Sequence, residues 1–371
     1  MIRYKFSRTL NKEFSAEIKQ RVNEYFKKNQ IRKTGGGTAL FKAFFALSVY
    51  LIPFVLILSG VIQSTPLMFL LWMLMGAGMA FIGTSVMHDA LHGSLSNNKL
   101  INKLLGLTAP LMGVDGKLWQ YQHNVLHHTY TNIEHADEDI QPRYVLRFTP
   151  NQPRRWFHRY QHLYAPILYS ISTIQWVAVK DFIKVFTYKK KELIKSNKEV
   201  VTRLTKVAIG KAFYIGIFLV LPIVVLNQPV WLTISMFVVM HMVAGVLLSL
   251  IFQPAHVVPT SDFIMQDEQL IQENWSVHQI LTTSNFAMRN KVLSYFIGGL
   301  NFQVEHHLFP NICHIHYPEI SKIIQKTTEK YKLPYFYEKS FRSALKSHFK
   351  LLKTLGRQDE LKIDYELRMA A

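Results

Sequence analysis

Two long stretches of this chain carry no charged side chain. Residues 43 to 87 and residues 212 to 258 contain no Lys, Arg, Asp or Glu, and each runs past forty residues. A helix needs about 20 apolar residues to cross about 30 Å of hydrocarbon, so each block is long enough for two crossings and a tight turn. Ser64-Thr65-Pro66 and Asn227-Gln228-Pro229 supply the turns, both being helix-ending sequences. The pattern predicts an all-α integral membrane fold with four transmembrane helices in two hairpins, at about 39–63, 66–87, 207–227 and 230–256.

Outside these blocks the pattern changes. Ser15 to Asn29 has the spacing of a short amphipathic helix, and Thr34-Gly-Gly-Gly-Thr38 reads as a flexible link into the membrane. Leu104 to Val114 is apolar but too short to cross, which predicts a segment lying in the interface or dipping in and returning. From Pro153 to Val207 the chain is aromatic and basic, with Trp156, Tyr160, Tyr164, Tyr169 and Trp176 followed by Lys189-Lys190-Lys191, a composition that favours the headgroup region. Pro318 to Lys330 and Glu338 to Arg357 predict amphipathic helices with basic faces. The chain is thereby divided into an N-terminal segment 1–37, a membrane domain 38–330 and an amphipathic basic tail 331–371.

Composition agrees, with 371 residues that are 49% hydrophobic and 13% aromatic and a mean hydropathy of +0.08. The formal charge of +19 is lopsided in its placement. All Lys and Arg fall in the first 42 residues, between Lys99 and Lys211, or after the second uncharged block. The positive-inside rule puts those segments in the cytoplasm and the two uncharged turns outside. The expected localisation is a multi-pass membrane protein, in the cell membrane if bacterial. The positive charge is read as topology plus contact with anionic headgroups, so no nucleic-acid partner is expected. Residues 1 to 37 are charged from the start and show no secretory signal pattern. A single cysteine, Cys313, excludes an intramolecular disulfide and fits a reducing compartment.

The chemistry is carried by histidines. His123, His127 and His128 fall within six residues, His88 and His92 stand upstream, and His306 and His307 lie far downstream, each group beside an apolar block. Residues four apart on a helix have Cβ atoms about 5–6 Å apart, close enough for two imidazoles to grip one ion. His128 and the adjacent pair His306, His307 point about 100° round a helix from their neighbours, which lets a box serve two ions and predicts a dinuclear centre. Imidazole suits iron, zinc, copper and nickel, and ligand type alone does not choose among them. Asp89, Glu305 and Asp137-Glu138-Asp139 are placed to accept the distal ring N–H of a ligand. His256, at the end of the fourth span, joins the candidate ligands at the same rim. His241 falls near the middle of that span and reads as an inter-helix hydrogen-bonding residue. His278 is expected near the centre as a support. His158, His162, His314, His316 and His348 are expected to be ordinary surface or core residues. Gln303 shares the helical face of His306 and His307 and is the candidate catalytic position, binding weakly, through water, or by orienting a neighbour.

The order His88-x-x-x-His92, His123-x-x-x-His127-His128, Gln303-x-x-His306-His307 resembles the membrane fatty-acid desaturases. The flanking His127-His128-Thr129-Tyr130-Thr131-Asn132 and His306-His307-Leu308-Phe309-Pro310, with the glutamine opening the last box, are similar to the front-end subgroup, including the delta-6 and delta-5 types. The resemblance runs from about Thr38 to Glu329. It implies two non-haem iron ions held by the box histidines His88, His92, His123, His127, His128, His306 and His307, with His256 added from its place at the rim of the fourth span, and four spans below a cytoplasmic helical cap. It also implies an oxidoreductase that uses O2 and two electrons to place a cis double bond in an acyl-CoA or acyl-lipid, between the carboxyl end and an existing double bond. Many front-end enzymes carry a fused cytochrome b5 domain with a His-Pro-Gly-Gly motif. That motif is missing here, so the expected electron donor is a separate ferredoxin or cytochrome b5 type protein.

Three other classes compete. A lipid hydroxylase or sphingolipid desaturase of the same iron-histidine superfamily would use the same boxes, and product analysis separates them. A membrane zinc hydrolase would need an open metal position and no electron donor, and is distinguished by metal content and oxygen dependence. A haem-binding electron carrier or a transporter would need paired histidines within the spans or broken helices with polar midplane residues, and neither pattern is present.

Overall fold

The computed structural model describes residues 4–141, 145–264 and 270–359. The end of the predicted tail, 360–371, lies outside the described residues. The fold is mostly helical, and among the described residues four helices are long and apolar enough to cross a membrane: Gly36–Leu58, Thr65–His92, Asn197–Val225 and Val230–His256. The chain divides into two compact units, one made of Gly36–Tyr121 and Pro166–Ser249, the other of Ile2–Gly35, Gln122–Ala165 and the chain from Leu250 onward.

In the first unit, small residues set the helix spacing. Ala39, Ala43 and Ala46 are buried along one side of the Gly36–Leu58 helix, while Phe41, Phe44, Ile52 and Val55 are exposed. An apolar outer face of this kind suits contact with lipid, where helix association depends on close backbone approach. A Cβ at Gly78 would come within 2.9 Å of the Tyr50 backbone nitrogen, and one at Gly76 within 2.3 Å of the Met240 carbonyl oxygen. Neither position accepts a larger residue without moving a helix.

The third long helix begins at Asn197, ten residues before the expected span, because Ser196 caps it by accepting the Glu199 N–H at 3.1 Å. Its first turns are polar, so the apolar pattern cannot mark them. The segment expected in the interface is a helix over Lys99–Gly106 followed by a short 3-10 turn at Pro110–Met112. Lys211 is buried in the third long helix, yet its ammonium donates to Asp181 at 2.6 Å and to the Trp176 carbonyl at 2.7 Å, with a further bond to Gly113. A buried cation survives only with such partners.

The second unit is built on the Lys12–Lys28 helix, close to the expected amphipathic segment. Phe14, Ile18, Val22 and Phe26 recur every four residues and are all buried. They pack in one cluster with Ile320 and Ile324 of the Tyr317–Lys330 helix, with Val277 and Ile280, and with Val304 and Leu308. Each such side chain contributes about 1.5–3 kcal/mol on burial. This cluster therefore grips the helix that carries the third histidine box. The Phe341–Leu355 helix is held at its end by Arg147, whose guanidinium donates to the carbonyls of Leu355 at 2.6 Å and Gln358 at 2.7 Å. Two short parallel strand pairs, Lys5–Phe6 with Leu270–Ile271 and Asn285–Phe286 with Tyr337–Glu338, pin distant segments together.

Two π-helical turns interrupt the helices at the boxes, over Gly83–Met87 and over Tyr121–His127. The α-helical geometry expected for the second box is therefore replaced by i→i+5 bonding, a geometry common at functional sites. His128 is consequently turned towards His123 rather than away from it.

Candidate metal centre

In the second unit the π-turn Tyr121–His127, the end of the Val230–His256 helix and the short helix Gln303–Leu308 bring three histidines face to face. One nitrogen from each of His127, His256 and His307 lies within 4.8 Å of the others. Their ring centroids form a nearly equilateral triangle, with 4.7 Å between His127 and His256, 4.9 Å between His127 and His307, and 4.8 Å between His256 and His307. His128 stacks on His307 at 4.4 Å and meets His306 at 4.5 Å. The Nε2 atoms of His128 and His123 are 3.2 Å apart, and His123 stacks on His306 at 5.8 Å. Six buried imidazoles thus form one continuous group.

The distal nitrogens show which way these rings are aimed. His127 Nδ1 donates to Asp137 Oδ2 at 3.0 Å, with Asp139 behind it at 3.5 Å. Asp137 is itself fixed by the backbone N–H groups of Asn132 and Asp139, each at 2.9 Å. Burial works to lower the His127 pKa, but the Asp137 and Asp139 carboxylates raise it to about 9. His256 Nδ1 donates to the Thr282 carbonyl at 3.3 Å, and its Nε2 has no hydrogen-bond partner among the described residues. His307 Nδ1 donates to Gln279 Oε1 at 2.8 Å, an oxygen that also accepts from Thr131 Oγ1 at 2.9 Å. His306 Nδ1 meets the Tyr317 hydroxyl at 3.2 Å. Nδ1 held by an oxygen fixes the tautomer and leaves the Nε2 lone pair as the donor, the arrangement that metal-ligating histidines use. A nitrogen-rich set with a carboxylate behind it fits a first-row transition metal.

The first box lies in the other unit. His88 and His92 have ring centroids 4.7 Å apart, with Trp119 at 5.8 and 6.0 Å, and His88 Nδ1 is 3.2 Å from Asp89 Oδ1. Of the acids expected to orient ligands, Asp89 and Asp137 sit on histidines as read. Glu305 does not. It accepts from Asn285 Nδ2 at 2.8 Å and from the Tyr335 hydroxyl at 2.7 Å, and burial raises its pKa to about 7 against those bonds. Asn285 also accepts the Val304 N–H at 2.9 Å, so it and Glu305 fix the start of the box helix.

Gln303 is buried near the His256 ring, and its amide nitrogen, like His256 Nε2, has no hydrogen-bond partner among the described residues. His241 is 3.0 Å from the Tyr214 hydroxyl and 3.1 Å from Thr173 Oγ1, an inter-helix bridge in the first unit. His278 Nε2 donates to the Thr131 carbonyl at 2.8 Å and braces the segment after the second box. His348 donates to the Val257 carbonyl at 2.9 Å, and His158 accepts the Arg155 N–H at 3.0 Å, both as buried hydrogen-bonded residues.

Gln279, Thr282, Asn285 and Tyr317 were not expected from the sequence. Their uncharged amide, carbonyl and hydroxyl groups carry no spacing signal. Asn132 had one available: it follows the second box, takes the left-handed φ of 56° that asparagine tolerates, and ties the turn to the carbonyls of His256 at 3.0 Å and Asp262 at 3.1 Å.

The model of the fatty acid desaturase family matches residues 64–339 of the chain. This chain belongs to the fatty acid desaturase family. A sn-1 linoleoyl-lipid 6-desaturase from Arthrospira platensis is 32% identical to it over 94% of this chain and 94% of the relative. The enzyme of that name from Synechocystis is 31% identical over 94% of this chain and 97% of the relative. An acyl-lipid (8-3)-desaturase from Physcomitrium patens is 34% identical over 93% of this chain and 72% of the relative. The desaturase is therefore an oxidoreductase acting on acyl chains, and its histidine clusters are ones that could hold a metal ion.

Proposed function

We propose that this desaturase places a cis double bond between the carboxyl end and an existing double bond of an acyl chain carried on a membrane lipid. The observation that carries the reading is the convergence of His127, His256 and His307 with their Nδ1 atoms held by Asp137, the Thr282 carbonyl and Gln279. Relatives named as acyl-lipid and linoleoyl-lipid desaturases, alike over most of their length, support the substrate class.

In this reading His123, His127, His128, His256, His306 and His307 would hold iron, and the family pattern of two iron ions also assigns His88 and His92 as ligands. When bound, the metal supplies the oxidation that removes hydrogen from an unpolarised methylene, for which side-chain acids and bases are too weak. The protein's own residues do the rest. Asp137 keeps a proton on His127 Nδ1 and the Gln279 amide oxygen keeps one on His307 Nδ1, so both rings present Nε2. Gln303 stands beside His256 and adjusts that ligand. Dioxygen is reduced to water by electrons from the acyl chain and from a separate ferredoxin or cytochrome b5 type donor, which the basic chain attracts electrostatically. The four long helices are read as two hairpins, with the histidine boxes on the cytoplasmic side, and residues 38–330 as the desaturase domain.

Expression in a host fed linoleic acid, with double bonds located by mass spectrometry, tests the proposal. A product unsaturated nearer the carboxyl group than the existing bonds supports it. A hydroxylated product, or a new bond only on the methyl side, refutes it.

A further inference from the structure

A cavity of about 440 Å³ lies wholly within the first unit, and Ala90 and Leu91, two of the three residues between His88 and His92, form part of its wall. Five cations line it against two carboxylates. Both carboxylates are committed to the frame. Asp181 takes the Lys211 ammonium at 2.6 Å, the Asp115 N–H at 3.0 Å and the Trp176 indole N–H at 2.8 Å. Asp115 pairs with Arg203 at 3.3 Å and caps the N–H groups of Lys117 and Leu118 at 3.0 and 2.9 Å. Lys103, Lys117 and Lys206 remain at the exposed mouth, in excess of the acids.

The mouth opens where lipid is expected. On the Lys99–Gly106 helix and just beyond it, Leu100, Leu104 and Leu107 recur every three to four residues with 59%, 55% and 59% of their surface exposed. A short helix with leucines outward and lysines beside them lies along a membrane surface. Lys206 belongs to the polar first turns of the third long helix, where a span meets the headgroups. A group reaching this cavity from the bilayer is therefore anionic, small and attached to an acyl chain.

We propose that the cavity binds the phosphate of a membrane phospholipid headgroup and so selects acyl chains esterified to phosphoglycerol. This deepens the acyl-lipid reading and rests on it for the selection step, although the binding itself does not. Phosphate esters on acyl chains also occur in acyl-CoA, and the exposed leucine stripe favours the lipid as the source.

The test uses iron-loaded full-length protein in detergent, with binding read by native mass spectrometry for phosphatidylglycerol bearing linoleoyl chains, the matching diacylglycerol, linoleoyl-CoA and inorganic phosphate. Phosphatidylglycerol is expected to bind and diacylglycerol not. The double variant Lys103→Gln, Lys206→Gln should lose about tenfold in that binding, as removal of two headgroup-level charges predicts. A control with Lys27→Gln and Lys28→Gln, exposed on the second unit, should lose nothing. Gly210 lines the cavity, and a Cβ there meets nothing within 4 Å, so Gly210→Phe should fill the space and block the lipid while helix content by circular dichroism stays unchanged. Wild-type binding in both cavity variants, or equal binding of diacylglycerol, overturns the proposal. Linoleoyl-CoA bound as well as phosphatidylglycerol and lost with the same lysines overturns the phospholipid as the source. Binding is read without turnover, so an inactive protein that still selects phosphatidylglycerol refutes only the desaturation reading, and an active one indifferent to the headgroup refutes only this.

Discussion

Replacing Asp137 by asparagine keeps the size of the side chain and removes its charge. The carboxylate is fully buried, accepts the His127 Nδ1–H at 3.0 Å, and is held by two backbone N–H groups at 2.9 Å. An asparagine amide cannot satisfy all three donors, because one of its two ends is itself a donor. It also withdraws the nearer of the two carboxylate charges that raise His127 to about 9, leaving Asp139 alone to oppose burial. Loss of a ligand-orienting carboxylate typically costs about 10–100-fold in metal affinity, or about 1.4–2.7 kcal/mol. The expected result is a protein that reaches the membrane, keeps its helix content, and loses iron to a graded chelator at about 10–100-fold lower concentration than wild type. Product formation should fall with iron content and recover in part when excess ferrous iron is supplied. Iron retention and activity equal to wild type would show that the Asp137–His127 contact is incidental to the centre.

Gln279→Ala should also loosen iron, by about tenfold, because His307 and Thr131 both lose their shared acceptor; unchanged metal retention would remove Gln279 from the site. Gln303→Ala should cost most of the activity while leaving iron content near that of wild type, and a variant with normal turnover would make Gln303 a packing residue. His348 is buried neutral with its pKa lowered to about 4. The unfolded chain, titrating near 6.5, then binds more protons between those values, so stability is full above about pH 6.5 and falls by up to about 3 kcal/mol as pH drops towards 4. His348→Gln should flatten the decline of Tm between pH 7 and 5, and an unaltered slope would contradict the assignment. Tags at Thr65 and Gln228 should be reachable from outside intact cells and one at Ala371 only after permeabilisation; a C-terminus reachable from outside would overturn the topology.

How much of this was legible depended on the kind of signal. The four long helices were visible because excluding charge from hydrocarbon leaves an unbroken mark in the letters. The start of the third at Asn197 was not, since a helix that continues into water there is held by Ser196 and not by an apolar face. Box histidines were visible because a metal needs several imidazoles close together. Asp137 could be read from its nearness to the second box, whereas Gln279 and Thr282 reach their histidines across 28 and 26 residues. Glu305 was misread for the opposite reason: it is adjacent to His306 in sequence but faces Asn285 and Tyr335 in space.

The π-turn at the second box bears on how such a site works. With α-helical geometry, His123 and His127 would share a face and His128 would point about 100° away. The i→i+5 bonding over Tyr121–His127 also brings His128 onto His123, with their Nε2 atoms 3.2 Å apart, while His123 still stacks on His127 at 5.3 Å and His127 meets His256 and His307. One segment thus feeds two neighbouring groups of nitrogens. A π-turn is rare and occurs mostly as a single turn within an α-helix, so the contacts at its ends bear on where it stops. Asp137, tied to two backbone N–H groups, and Asn132, tied to two carbonyls, hold its exit. The same contacts that orient His127 therefore also anchor the exit of the turn, which is why a change at Asp137 is expected to disturb both groups of nitrogens and not His127 alone.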